Sequence, residues 1–206
     1  AKLLIAGDFT TVHGVSVTNI ARLNADGTLD TAFTVGSGPL GGAVNASLVL
    51  PGGRVLVGGS FTSFNGQLNT ARLVLLNAVD GSVDATFATA MSAGGPNLPV
   101  HSMAVDAAGN IYLGGDFTSF NGTPNVRRVA KLNANTYALD NAFNVNIGNS
   151  GTGGFNNTVR ALAINSATLY AGGDFTSMNS QPGTVRIAKL STGGVLDTTF
   201  ASGITS

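Results

Sequence analysis

Four copies of a strand-rich unit, two phenylalanine markers in step through all four, and a composition rich in turn and strand formers predict an all-β tandem-repeat fold for this 206-residue chain. The first marker reads Ile5-Ala6-Gly7-Asp8-Phe9-Thr10, Val57-Gly58-Gly59-Ser60-Phe61-Thr62, Leu113-Gly114-Gly115-Asp116-Phe117-Thr118 and Tyr170-Ala171-Gly172-Gly173-Asp174-Phe175-Thr176. Its phenylalanines Phe9, Phe61, Phe117 and Phe175 lie 52, 56 and 58 residues apart. The second marker is an aliphatic residue, an aspartate and then a phenylalanine: Leu29-Asp30 with Phe33, Val83-Asp84 with Phe87, Leu139-Asp140 with Phe143, Leu196-Asp197 with Phe200. These phenylalanines are 54, 56 and 57 apart. The chain has 29 glycines, and its ten acidic residues are all Asp, so strong helix formers are scarce.

Each unit reads as about four short antiparallel strands. The first covers residues 44–50, 100–105 and 159–164 in the second, third and fourth repeats. A glycine turn follows, as at Pro51-Gly52-Gly53, and then a second apolar strand over 54–58 or 111–114 that ends on the glycine pair. A loop carrying Phe64-Asn65-Gly66 or Phe120-Asn121-Gly122 leads to a third strand over 71–76 or 129–132. Tight turns such as Asp26-Gly27 and Asp80-Gly81 lead into the fourth. Four such strands in each unit of 50 to 58 residues favour β-propeller blades over a sandwich or barrel. The expected blades of this single array are 1–38, 39–95, 96–154 and 155–206. Residues 1–7 align with 53–59, so the first blade lacks its first strand, and only six residues follow Phe200. The expectation is that the open edges join further repeats of a longer chain, or other copies in a filament or ring. Residues 146–157, rich in Gly, Asn and Ser, read as a mobile loop between repeats.

The markers have a structural explanation. The glycine pairs permit close backbone approach, and Phe61 and Phe87 with their counterparts suit the space between blades. The recurring aspartates are expected to accept backbone hydrogen bonds. Arg72, Arg128 and Arg186 align with one another and are expected to pair with those aspartates across a blade interface.

Only 10% of residues are charged, and ten Lys and Arg balance the ten Asp. Nucleic-acid binding needs clustered cations and is not expected. No apolar run approaches the roughly 18 residues of a membrane helix. With no cysteine, disulfides and thiolate metal sites are excluded. The sequence starts at Ala1 without a signal-peptide pattern and reads as a mature product or a fragment.

Candidate sites are few. Asn65, Asn121 and Asn179 occupy equivalent loops and would form a glycan-contacting set, although Asn-Gly is also ordinary turn chemistry. His13 aligns with them, and His101 stands elsewhere; neither has the context of a catalytic triad. Asn24, Asp26, Thr28 and Asp30 alternate as calcium ligands would, but the pattern decays in later repeats, so a hairpin turn is the default. Glycosylation-type triplets begin at Asn45, Asn121 and Asn156, as chance allows in a chain rich in Asn and Thr. No metal, cofactor or catalytic residue is expected.

The run Gly114-Gly115-Asp116-Phe117-Thr118-Ser119-Phe120-Asn121-Gly122, then Arg128-Val129-Ala130-Lys131-Leu132-Asn133, then Leu139-Asp140 with Phe143 resembles the bacterial delta-60 repeat. The resemblance covers essentially the whole chain. A weaker likeness to kelch units rests on the glycine pair, but the later Trp of kelch is missing. The delta-60 resemblance implies an extracellular or cell-surface, non-catalytic scaffold with a structural or adhesive role. A carbohydrate-binding propeller is the second expectation, with glycans as its partners.

Overall fold

The computed structural model describes residues 2–148, 153–181 and 184–200. The chain divides into two compact units, Ala1–Gly95 and Pro96–Ser206. In the first unit, β1 (Leu3–Ala6), β2 (Thr11–Val12), β3 (Val15–Ser16) and β4 (Ile20–Leu23) form the first repeat. The second repeat has β5 (Pro39–Leu40), β6 (Val44–Val49), β7 (Val55–Gly59), β8 (Ser63–Phe64), β9 (Leu73–Leu76) and helix α1 (Ala85–Ala90). In the second unit, the third repeat has β10 (Val100–Val105), β11 (Ile111–Gly115), β12 (Ser119–Phe120), β13 (Thr123–Pro124), β14 (Val129–Leu132) and α2 (Asn141–Asn146). The fourth has β15 (Val159–Asn165), β16 (Thr168–Gly173) and β17 (Ile187–Ser191).

The architecture is the all-β, propeller-type repeat that the sequence predicts. Each complete repeat is an antiparallel meander, in the orders β6-β7-β9, β10-β11-β14 and β15-β16-β17. In the first repeat, among the described residues, β1 pairs with β4 alone. The apolar runs Val55-Leu56-Val57 and Ile111-Tyr112-Leu113 lie in the middle strands and are wholly buried, whereas β1, with one edge open, is at most half-buried. The fourth antiparallel partner contracts to one bridge per repeat: Leu23 with Leu29, Leu76 with Val83, Leu132 with Leu139, Leu190 with Leu196. In the second and third repeats an aspartate then takes over. The side chains of Asp84 and Asp140 accept from the N–H groups of Phe87 and Phe143, capping α1 and α2 and turning each phenylalanine inward.

Two local devices recur. Every first strand carries a bulge at its start, so that Val44-Asn45, Val100-His101 and Val159-Arg160 each oppose one glycine. That glycine is the second of the pair. A Cβ there would lie 2.0 Å from the carbonyl oxygen of Ala43 at Gly59, 2.2 Å from that of Pro99 at Gly115, and 2.1 Å from that of Thr158 at Gly173. The same carbonyls accept from the N–H groups of Ser60, Asp116 and Asp174, each at 2.9 Å. Close approach across the blade, rather than an unusual torsion, requires glycine here.

The aligned arginines differ from expectation. Asp30, Asp84, Asp140 and Asp197 are ion-paired within their own repeats, by Lys2 and Arg22, by Arg54, by Lys131 and by Lys189 respectively. Arg72, Arg128 and Arg186 instead adopt left-handed torsions, with φ of 64°, 67° and 66°. Each bridges the marker through its main chain: its N–H donates to the carbonyl of Phe61, Phe117 or Phe175, and its carbonyl accepts from Gly59, Gly115 or Gly173. Asn19, with φ of 65°, makes the same pair of bonds to Phe9 and Gly7. The position serves its backbone, and the side chains of Arg128 and Arg186 donate to the main-chain carbonyls of Asp116 and Asp174 rather than to a hairpin aspartate, with Arg186 Nη1 also 3.9 Å from Asp174 Oδ1.

The apolar cores lie between the repeats of each unit. In the first, Ile20, Phe33 and Val35 of one repeat pack with Val57, Phe61, Phe64 and Val74 of the next. In the second, Tyr112, Val129, Phe143 and Ile147 pack with Phe155, Val159, Phe175 and Met178. Polar staples join the same surfaces. Tyr112 Oη donates to the Thr192 carbonyl at 2.8 Å, and the Leu162 N–H donates to Ser102 Oγ at 2.9 Å.

Candidate functional site

The three equivalent asparagines sit at hairpin tips. Asn65, Asn121 and Asn179 have φ of 52°, 46° and 51°, and Gly66, Gly122 and Ser180 after them are also left-handed. Two successive positive φ values define the tight turn that Asn-Gly favours. His13, with φ of 50° and Gly14 after it, turns the β2–β3 hairpin in the same way. At Asn65 both ends of the residue hold the chain: its N–H donates to the Gly38 carbonyl and its Oδ1 accepts from the Gly38 N–H, each at 2.8 Å. Asn179 clasps Gly154 in the same manner, its Oδ1 accepting from the Gly154 N–H at 2.6 Å. Ligand contact at these two oxygens would compete with the anchoring of the segment that precedes each blade.

That anchoring has a second component that the sequence pattern does not single out. Asn97 Oδ1 accepts from the N–H groups of Thr118 and Ser119 at 2.8 and 3.0 Å. Asn156 Oδ1 treats Thr176 and Ser177 alike, at 2.9 and 3.1 Å. The signal was available in the shared run Gly94-Gly95-Pro96-Asn97 and Gly153-Gly154-Phe155-Asn156, in each of which the asparagine stands three residues before the valine that opens the first strand. Of residues 146–157, Asn146 ends α2, residues 149–152 lie outside the described residues, and Phe155 bridges to Met178.

The calcium-like positions close on themselves. Asp26 Oδ1 accepts from the N–H and the hydroxyl of Thr28 at 3.0 and 2.6 Å, and these bonds hold its carboxyl below the usual range. Asp80 and Ser82 repeat the arrangement. Lys2 and then Arg22 bring the Asp30 carboxyl down to about 2. Among the described residues, no cluster of three or more His or Asp side chains is placed to hold a metal ion.

His101, the bulged residue of β10, places Nε2 2.8 Å from Asp116 Oδ2, while the Thr158 hydroxyl donates to Asp116 Oδ1 at 2.5 Å. The carboxylate stands between hydroxyl and imidazole, so the imidazole is not positioned to take the hydroxyl proton. Arg160 and Asp174 are the same pair one blade later, with Nη2 and Oδ2 2.6 Å apart.

The repeat boundaries meet an independent finding here. A family model described as "Domain of unknown function (DUF5122) beta-propeller" matches residues 2–33, 50–87, 109–135 and 168–200, more than half of the chain. The chain belongs to this family. Each DUF5122 segment includes the glycine-bearing strand, and the first, second and fourth extend to the second phenylalanine marker. No curated protein matches the sequence.

Proposed function

We propose that this DUF5122 chain is a non-catalytic structural and adhesive module that extends by accepting a β-strand at the open edge of β1. The observation that carries the reading is the first blade, where, among the described residues, β1 pairs only with β4 and a Cβ on Gly7 would meet nothing within 4 Å. In the other blades the carbonyl of the residue just before the first strand lies over the equivalent glycine. The finer resemblance to delta-60 repeats supports an extracellular or surface setting, in which further repeats or other copies of the chain supply the strand. Charge adds detail. Asp8 stands where Asp116 and Asp174 meet His101 and Arg160, so a cationic residue at the bulge of the incoming strand would complement it.

A synthetic peptide copying residues 158–165, which carries arginine at that place, tests the reading. Added to the chain, it is expected to slow hydrogen exchange of the Leu3–Ala6 amides and to bind more weakly to Asp8→Asn. Unchanged exchange at millimolar peptide would reject strand addition, and equal binding to Asp8→Asn would reject the charge complement. The rival reading through Asn65 and Asn179 is weaker, because their side-chain oxygens already hold Gly38 and Gly154.

A further inference from the structure

In each complete blade, the segment leading into the first strand is fastened to the hairpin that follows the marker phenylalanine. In the third blade Asn97 makes the joint at two consecutive residues. Its Oδ1 accepts from the Thr118 and Ser119 N–H groups, its Nδ2 donates to Thr118 Oγ1 at 3.1 Å, and its own N–H donates to the Ser119 carbonyl at 3.2 Å. In the fourth, Asn156 holds Thr176 and Ser177 through the same four bonds, with Nδ2 to Oγ1 at 2.8 Å and N–H to carbonyl at 3.2 Å. In the second, the Leu40 carbonyl accepts from both the N–H and the hydroxyl of Thr62, at 2.9 and 3.2 Å. The residue before each asparagine is engaged too. Pro96 bridges to Phe120 and Phe155 to Met178, and the Phe155 ring packs edge-on against the marker ring of Phe175 with centroids 4.7 Å apart. Both of those rings are buried.

The first blade keeps the receiving half of this joint. Thr10 and Thr11 stand where Thr118-Ser119 and Thr176-Ser177 stand, and Phe9 holds the place of Phe175. The β2–β3 hairpin turns at His13-Gly14 as the later hairpins do at their tips. Thr10 and Thr11 are exposed, and among the described residues no side chain accepts from either N–H group. Phe9 is only half-buried. The group that fits Thr10 and Thr11 is an amide, because it accepts at one atom and donates at the other, which a carboxylate cannot do.

We infer that the segment received by the first blade carries an aromatic residue and then an asparagine, the asparagine three residues ahead of the valine that opens its strand. The ring covers Phe9, and the asparagine clamps Thr10 and Thr11. The occupant is thus an extended segment of the pattern seen in Phe155-Asn156-Asn157-Thr158-Val159. The inference rests on strand addition at β1 and specifies what precedes the added strand. Main-chain pairing along β1 is indifferent to side chains, so this joint is where one strand is distinguished from another.

Two synthetic peptides, copying residues 153–165 and 158–165, test it against the whole chain by affinity and by amide-resolved hydrogen exchange. The longer peptide is expected to bind about ten-fold or more tightly than the shorter and to slow exchange at Thr10 and Thr11, which the shorter leaves unchanged. Asn156→Ala and Phe155→Ala in the longer peptide should each forfeit most of that gain. Protection of Leu3–Ala6 by both peptides with equal affinity would overturn the joint and leave strand addition standing. Protection of Thr10 and Thr11 without Leu3–Ala6 would support the joint and reject strand addition, and protection at neither place would reject both. A substituted peptide that kept the full gain would overturn the role of the residue it lacks.

Discussion

The first blade and the three complete blades carry the same glycine-phenylalanine marker in different surroundings. Phe61, Phe117 and Phe175 are fully buried, whereas Phe9 is only half-buried. Gly59, Gly115 and Gly173 lie under the carbonyl of the residue just before the first strand, whereas a Cβ on Gly7 would meet nothing within 4 Å among the described residues. The marker is thus two requirements written together. Its phenylalanine and its second glycine answer to the first strand, while the bonds through Asn19, Arg72, Arg128 and Arg186 form whether or not that strand is present.

Substitution at the phenylalanine should divide the blades most sharply. Phe61→Ala should cost about 3–5 kcal/mol, as for a large aromatic removed from a packed interior, and Phe9→Ala less than half of that. Urea denaturation monitored at constant m-value checks the contrast; equal losses would mean that β1 is covered in solution. Alanine at the glycine is the next largest effect. Gly115→Ala forces a Cβ onto the Pro99 carbonyl and should cost about 1–3 kcal/mol. In the same denaturation, a loss below about 0.5 kcal/mol would mean that the carbonyl moves aside.

The smallest contrast is in acid. Asp30 and Asp197 are held below the usual carboxylate range, Asp30 chiefly by Lys2 and Arg22 and Asp197 chiefly by Lys189 and Thr199. Each binds fewer protons folded than unfolded, so its contribution is complete above the unfolded value of about 4 and is lost as pH falls toward 2. Thermal melts between pH 5 and 2 should show a shallower acid decline for Asp30→Asn and for Asp197→Asn than for the wild type. An unchanged slope in either would mean that its cation is not engaged in solution.

The repeat, the middle strands and the Asn-Gly turns were legible because each rests on a short, local rule. Alternation and apolar runs place β7 and β11, and two consecutive positive torsions explain Asn65-Gly66. The helices α1 and α2 were not foreseen. Asp84 and Asp140 read as hairpin residues, although an aspartate three places before a buried phenylalanine is also a helix cap. The arginine column misled for another reason. A charged side chain suggests an ion pair, while the determining feature was a torsion that only the aligned Asn19 hinted at.

That arginine column bears on how such arrays diversify. Its architectural duty falls first to an N–H and a carbonyl held at a left-handed torsion, and the side chain reinforces the same turn: Asn19 Nδ2 donates to the Gly7 carbonyl, Arg128 Nη1 to that of Asp116 and Arg186 Nη1 to that of Asp174. Asn19, Arg72, Arg128 and Arg186 are already two different residues meeting one specification. What can vary along such an array is therefore bounded: the residue must tolerate the torsion and reach back to the marker carbonyl, a specification that a short amide and a long guanidinium both meet.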